Sequence, residues 1–78
     1  MKTIHSARYA AVITELRRER QALQITQQAL AERLSRPQSY VAKVELLERR
    51  LDVVEVGEWL LALGQRPTAF FQRFDWWS

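Results

Sequence analysis

The sequence predicts an all-α fold, a compact five-helix bundle with a helix-turn-helix formed by its second and third helices. Three observations predict it. Apolar residues recur at three- and four-residue intervals in successive segments, the signature of helices with one buried face. Helix-capping residues, Ser6, Thr26 and Asp52, stand just ahead of such segments. The central stretch from Thr26 to Leu46 splits into two short helical patterns parted only by Ser35, Arg36 and Pro37. At 78 residues the chain is read as a single domain, 1–78.

The first helix is expected over residues 6–23, with Ser6 as its cap. Tyr9, Ile13, Leu16, Arg20 and Leu23, with Val12 beside them, make a stripe that is apolar except for Arg20. A guanidinium on such a stripe needs a carboxylate, or must snorkel to water. Glu45, at the end of the third helix, is the partner expected for Arg20.

The second helix is expected over 27–34 and the third over 38–46. Thr26 caps the former, and Leu30, Ala31 and Leu34 give it an apolar face. Small Ala31 lets the two helices approach at their corner. Pro37 fits the first turn of the third helix and turns Arg36 away from helical angles. Val41 and Val44 point one way; Gln38, Ser39, Ala42 and Lys43 point another. Two short helices joined by about three residues build the motif whose second helix enters the DNA major groove. The groups turned outward here are an amide, a hydroxyl and an ammonium, which read base edges.

Asp52 with Glu55 three residues later forms a capping box for the fourth helix. Val53, Val56, Leu60 and Leu63 are expected as its inner stripe, and Gly64 then Pro67 to end it. Gly57 inside this helix implies close packing against a neighbour. Pro67 opens a fifth helix leading into FFQRFDWW, five aromatics in eight residues. This segment, 67–78, either closes the core or forms a dimer or partner surface. In the second case Phe71, Trp76 and Trp77 are exposed, joined by Trp59 and Leu61 on the fourth helix.

Composition excludes much. There is no cysteine and a single histidine, His5, so disulfides, thiolate or histidine metal sites and a Ser-His-Asp triad are not available; neither metal nor cofactor is expected. No apolar run approaches the roughly 18 residues of a membrane span, and MKTIHSARYA has no apolar leader core, so no membrane is expected and a cytoplasmic location is. The net charge of +3 is uneven: residues 1–50 hold ten Lys/Arg against five Glu, while residues 51–78 carry −2. The basic surface thus belongs to the half with the two-helix motif, which suits phosphate contact.

From Thr26 to Glu45 the sequence resembles the Xre/Cro-type helix-turn-helix family, the fold of lambdoid phage repressors. The matching residues are Thr26-Gln27, Leu30-Ala31, Leu34, Pro37 to Val41, and Lys43 to Glu45. The likeness continues through Arg49 to Glu55 and Ala62 to Gly64. It implies a five-helix domain that binds operator DNA as a two-fold dimer. By position, Gln38, Ser39 and Lys43 match base-reading residues. Gln27 resembles the residue that holds a phosphate and braces the first base reader. Tyr40 resembles a backbone-contacting position, and Arg49 and Arg50 occupy a loop that grips phosphates. Arg36 and Arg17 flank the motif as further phosphate candidates. The family's usual glycines are replaced by Gln24, Ser35 and Leu47. A left-handed backbone at bulky Leu47 would be strained, so the third helix is expected to run past Leu46, or the loop to take another path.

The leading expectation is a homodimeric, sequence-specific DNA-binding regulator of a bacterial or mobile-element promoter, acting as a repressor or local activator. The competing one is a protein-interaction module, an antitoxin or anti-activator, that keeps the fold but binds another protein. No phosphate-cradling glycine loop, carboxylate cluster or nucleophile with a base is present, so an enzyme is not expected.

Overall fold

The computed structural model describes residues 6–77; expectations for residues 1–5 and for the Trp77 side chain lie outside the described set. Helix α1 is Ala7–Ala22, α2 Gln27–Arg33, α3 Gln38–Glu45, α4 Val53–Ala62 and α5 Pro67–Phe71, followed by a 3-10 turn at Asp75–Trp77. The described residues contain no strand, and the architecture is the all-α five-helix bundle the sequence predicts.

The caps act as their chemistry requires. The hydroxyls of Ser6 and Thr26 accept from the Tyr9 and Ala29 N–H groups at 3.1 and 3.0 Å. At α4 the box is reciprocal: Asp52 accepts from the Glu55 N–H at 2.8 Å while Glu55 accepts from the Asp52 N–H at 2.9 Å. Pro37 stands just before α3 in extended geometry rather than inside its first turn.

The core gathers Val12, Ile13 and Leu16 of α1, Leu30 and Ala31 of α2, and Val41 and Val44 of α3. Leu51, Val56, Trp59, Leu60, Leu63, Phe70 and Phe74 complete it. Ala31 is fully buried where α2 and α3 meet. Leu23, expected on the inner stripe of α1, is exposed because the helix ends before it.

Three expectations for α4 are corrected. Val53 is 80% exposed, since the first turn projects past the core, whereas Trp59 is fully buried. Trp59 lies three residues after Val56 and four before Leu63, so it shares their stripe and belongs to no partner surface. Gly57 does not mark a close approach either: a β-carbon there would meet nothing within 4 Å.

The exit of α3 is a further correction. The helix does not run on. It ends at Glu45, and Leu47 adopts φ +64°, as Gln24 and Ser35 adopt +58° and +55° at the ends of α1 and α2. Each of these residues donates its N–H to the carbonyl three back, and the next residue donates to the carbonyl five back. Gly64 closes α4 in the same way at φ +73°. Left-handed geometry costs a non-glycine roughly 1–2 kcal/mol. The two end bonds, each with a net contribution of about 0.5–1.5 kcal/mol, offset that cost. At Leu47 the side chain also packs on the core. The family's turns survive without its glycines.

Candidate nucleic-acid interface

Helix α3 has two unlike sides. At its front, Gln38, Ser39 and Lys43 are exposed on one side, while Val41 and Val44 anchor the opposite side with no exposed area. Neither Lys43 nor Arg17, exposed on α1 one turn before Arg20, has an ion-pair or hydrogen-bond partner among the described residues. Both cations retain their full hydrogen-bonding capacity for an external anion.

Beneath this front lies a continuous polar chain. Arg20 and Glu45, both 8% exposed, form a two-pronged ion pair, with Nε donating to Oε2 at 2.7 Å and Nη2 to Oε1 at 2.9 Å. Arg20 Nη1 also donates to the Ile25 carbonyl at 2.8 Å, which joins the α1–α2 turn to the pair. Gln27 Nε2 donates to Glu45 Oε1 at 2.9 Å, and Gln38 Nε2 donates to Gln27 Oε1 at 2.8 Å. The guanidinium expected as an intruder on α1 is therefore the root of a chain that ends on the exposed amide of Gln38. Gln27 keeps one N–H free, enough to reach a phosphate as well.

The other side of α3, with the loop that follows the helix, is built differently. Tyr40 is buried, and its hydroxyl accepts the Trp59 indole N–H at 3.1 Å. Its hydroxyl therefore makes an internal contact at the position expected to touch the DNA backbone. The Arg36 and Arg49 guanidinium carbons lie 4.5 and 4.9 Å from the Tyr40 ring centre. Both arginines reach Glu55, at 3.7 and 3.0 Å. The Arg49 hydrogen bond, then the Asp52 N–H, holds the Glu55 carboxyl below the usual carboxylate range. The same bond raises the Arg49 guanidinium above its ordinary value. Arg50 is exposed at the loop with its guanidinium 4.3 Å from the Tyr9 ring centre, while the Tyr9 hydroxyl accepts from the Leu51 N–H at 3.0 Å.

The aromatic tail chiefly closes the core. Phe70 and Phe74 are buried, and Phe71 and Trp76 are half-buried against them. Arg8 lies 5.3 Å from the Trp76 ring, and Arg73 ties the tail to α1 through Glu19 at 2.6 Å. The large exposed apolar side chains stand elsewhere: Leu46, Val53, Val54 and Leu61 are each at least 66% exposed. Sequence reading missed Val54 as a surface residue, although its seven-residue spacing from Leu61 already puts the two on one face of α4. It also missed Glu55 as the shared partner of two arginines, because the capping box alone explains that glutamate.

Chemically, the front of α3 presents hydrogen-bond donors and acceptors of both kinds on a rigid helix, with cations beside them. No family model and no curated protein matches the sequence. Among solved structures, the chain is similar to an XRE-family like protein from Pseudomonas syringae pv. tomato str. DC3000. The two are 47% identical, over 90% of this chain and 85% of that one, with a TM-score of 0.84.

Proposed function

Since the chain belongs to the XRE family of helix-turn-helix proteins, we propose that it is a sequence-selective regulator that binds double-stranded DNA. The observation that carries the reading is the exposed row Gln38, Ser39 and Lys43 on a helix anchored by Val41 and Val44. A helix of that size fits the major groove, where an amide and an ammonium read adenine and guanine edges. Arg17, Arg50 and the free N–H of Gln27 would contact phosphates, with Arg36 and Arg49 joining once they leave Glu55. The finer reading is a single-domain homodimer on a two-fold operator, repressing a bacterial or mobile-element promoter from the cytoplasm. The exposed Val54 and Leu61 face of α4 supports self-association, in place of the aromatic tail.

Selection from a random duplex pool tests this. A two-fold symmetric consensus, with affinity falling steeply with salt, is the expected result. Binding without sequence preference would overturn it.

A protein-binding reading rests on the same apolar residues, Leu46, Val53, Val54 and Leu61. It predicts an interaction that is nearly independent of salt and is lost in Val54→Glu or Leu61→Glu while duplex binding by the isolated domain persists.

A further inference from the structure

Glu45 is buried and could touch no base, yet it sits at the origin of the chain that ends on Gln38. We propose that Glu45 is a positioning residue that sets base preference at Gln38, by fixing the direction in which the hydrogen bonds between them run. The inference rests on the DNA-binding reading and deepens it.

The argument is one of donor and acceptor counts. Arg20 can only donate, and its Nε and Nη2 engage both oxygens of Glu45. An ionised carboxylate can only accept, so Gln27 must turn its NH2 toward Glu45, as it does at 2.9 Å. Its oxygen is then left to face Gln38. Gln38 must answer with an N–H, as it does at 2.8 Å. One of the two N–H groups of Gln38 is thereby spent inside the protein. What remains for a ligand is one acceptor and one donor.

That remainder fits one purine. Adenine offers a donor, N6–H, beside an acceptor, N7, whereas guanine offers two acceptors, O6 and N7. Against guanine the Gln38 oxygen would face another acceptor. A glutamine with both N–H groups free could serve both guanine acceptors; this one has a single N–H left for them while the chain holds. The buried ion pair therefore favours adenine over guanine at the base pair that Gln38 meets, and does so from the far side of two side chains.

Glu45→Gln makes the sharpest test because it removes the acceptor-only anchor without changing shape. The Oε1 position accepts from both Arg20 and Gln27, and the new amide can fill it with either its oxygen or its NH2, meeting an Arg20 donor with an N–H in either case. Gln27 is then no longer obliged to point its NH2 at residue 45 and its oxygen at Gln38. Preference for adenine at that base pair should weaken. Gln27→Met cuts the chain while leaving the Arg20–Glu45 pair whole, so it carries the test if Glu45→Gln fails to fold.

The experiment measures affinity for duplexes differing by adenine or guanine at the position whose preference Gln38→Ala abolishes. The parent should favour adenine by roughly tenfold or more, the discrimination ordinary for a paired base contact. Gln27→Met should bring the ratio close to one, and Glu45→Gln should lower it toward one. A merely structural role would weaken both duplexes alike and leave the ratio unchanged, which would overturn the proposal alone. A parent that binds duplex DNA with no base preference would overturn the DNA-reading function, and this proposal with it.

Discussion

The two sides of α3 handle charge in opposite ways. On the Gln38 side, Arg20 and Glu45 are buried and paired beneath the surface, and the exposed amide of Gln38 above them is neutral but directionally held. On the Tyr40 side, the charges lie nearer the surface and neutralise one another, with Arg36 and Arg49 on the Tyr40 ring sharing Glu55. The difference assigns different work to each side. A tip held by a network rooted in a buried ion pair has a fixed pattern of donors and acceptors, which is what discrimination between bases requires. Arginines held by a partly exposed carboxylate can exchange it for a phosphate, which gives grip without discrimination.

The largest expected effect breaks the comparison at its root. Arg20→Ala or Glu45→Ala leaves a buried charge without its partner and should cost about 3–5 kcal/mol of stability, read by urea unfolding. Glu55→Gln should cost only about 1 kcal/mol, because its ion pairs are partly exposed and its capping role is shared with Asp52. Equal costs on the two sides would erase the distinction.

Binding sharpens it next. Gln38→Ala should lose about 1–3 kcal/mol on the preferred duplex and little on unrelated ones. Arg49→Ala should weaken all duplexes alike and reduce the salt slope by about one. Glu55→Gln should act in the other direction, strengthening binding to every sequence because both arginines are released.

Acid separates the two sides again. The Glu55 carboxyl is held below its usual range chiefly by the Arg49 hydrogen bond. Its contribution to stability is therefore fully present above the unfolded value of about 4.3 and is lost as pH falls through the lower folded value. Thermal unfolding between neutral pH and about pH 3 should fall less steeply in Glu55→Gln than in the parent, if the carboxylate acts as described.

The smallest effects belong to positions on neither side. Gly57→Ala should add about 0.5–1 kcal/mol, since the helix gains and no neighbour is met. Ser35→Gly should stabilise by a similar or smaller amount by relieving a left-handed residue. Neither should change which duplex is preferred.

Much of this was legible in the residues. Helix periodicity, the three side-chain caps and the position of Arg20 on an apolar stripe were enough to predict five helices and the partner of that arginine. The predicted failures have physical causes. Leu47 looked too bulky for a left-handed turn because propensity counts only the local penalty, whereas the two end hydrogen bonds and the packing of its side chain on the core depend on the folded chain. Trp59 looked peripheral because α4 carries apolar residues around most of its circumference, so periodicity alone could not say which side faced the core. Tyr40 looked like a surface contact by its place in the motif, but the indole N–H of Trp59 draws its hydroxyl inward. The direction of the chain from Arg20 to Gln38 needed three dimensions, since its members lie on three different helices.

Sequence-selective binding by the front of α3 is the central claim. Its most direct test is selection of duplexes from a random pool by the parent and by Gln38→Ala in parallel. The account predicts a two-fold symmetric consensus for the parent, and the same consensus for the variant with the preference lost at one base pair in each half-site. An identical consensus from both proteins, or no consensus from the parent, would contradict it.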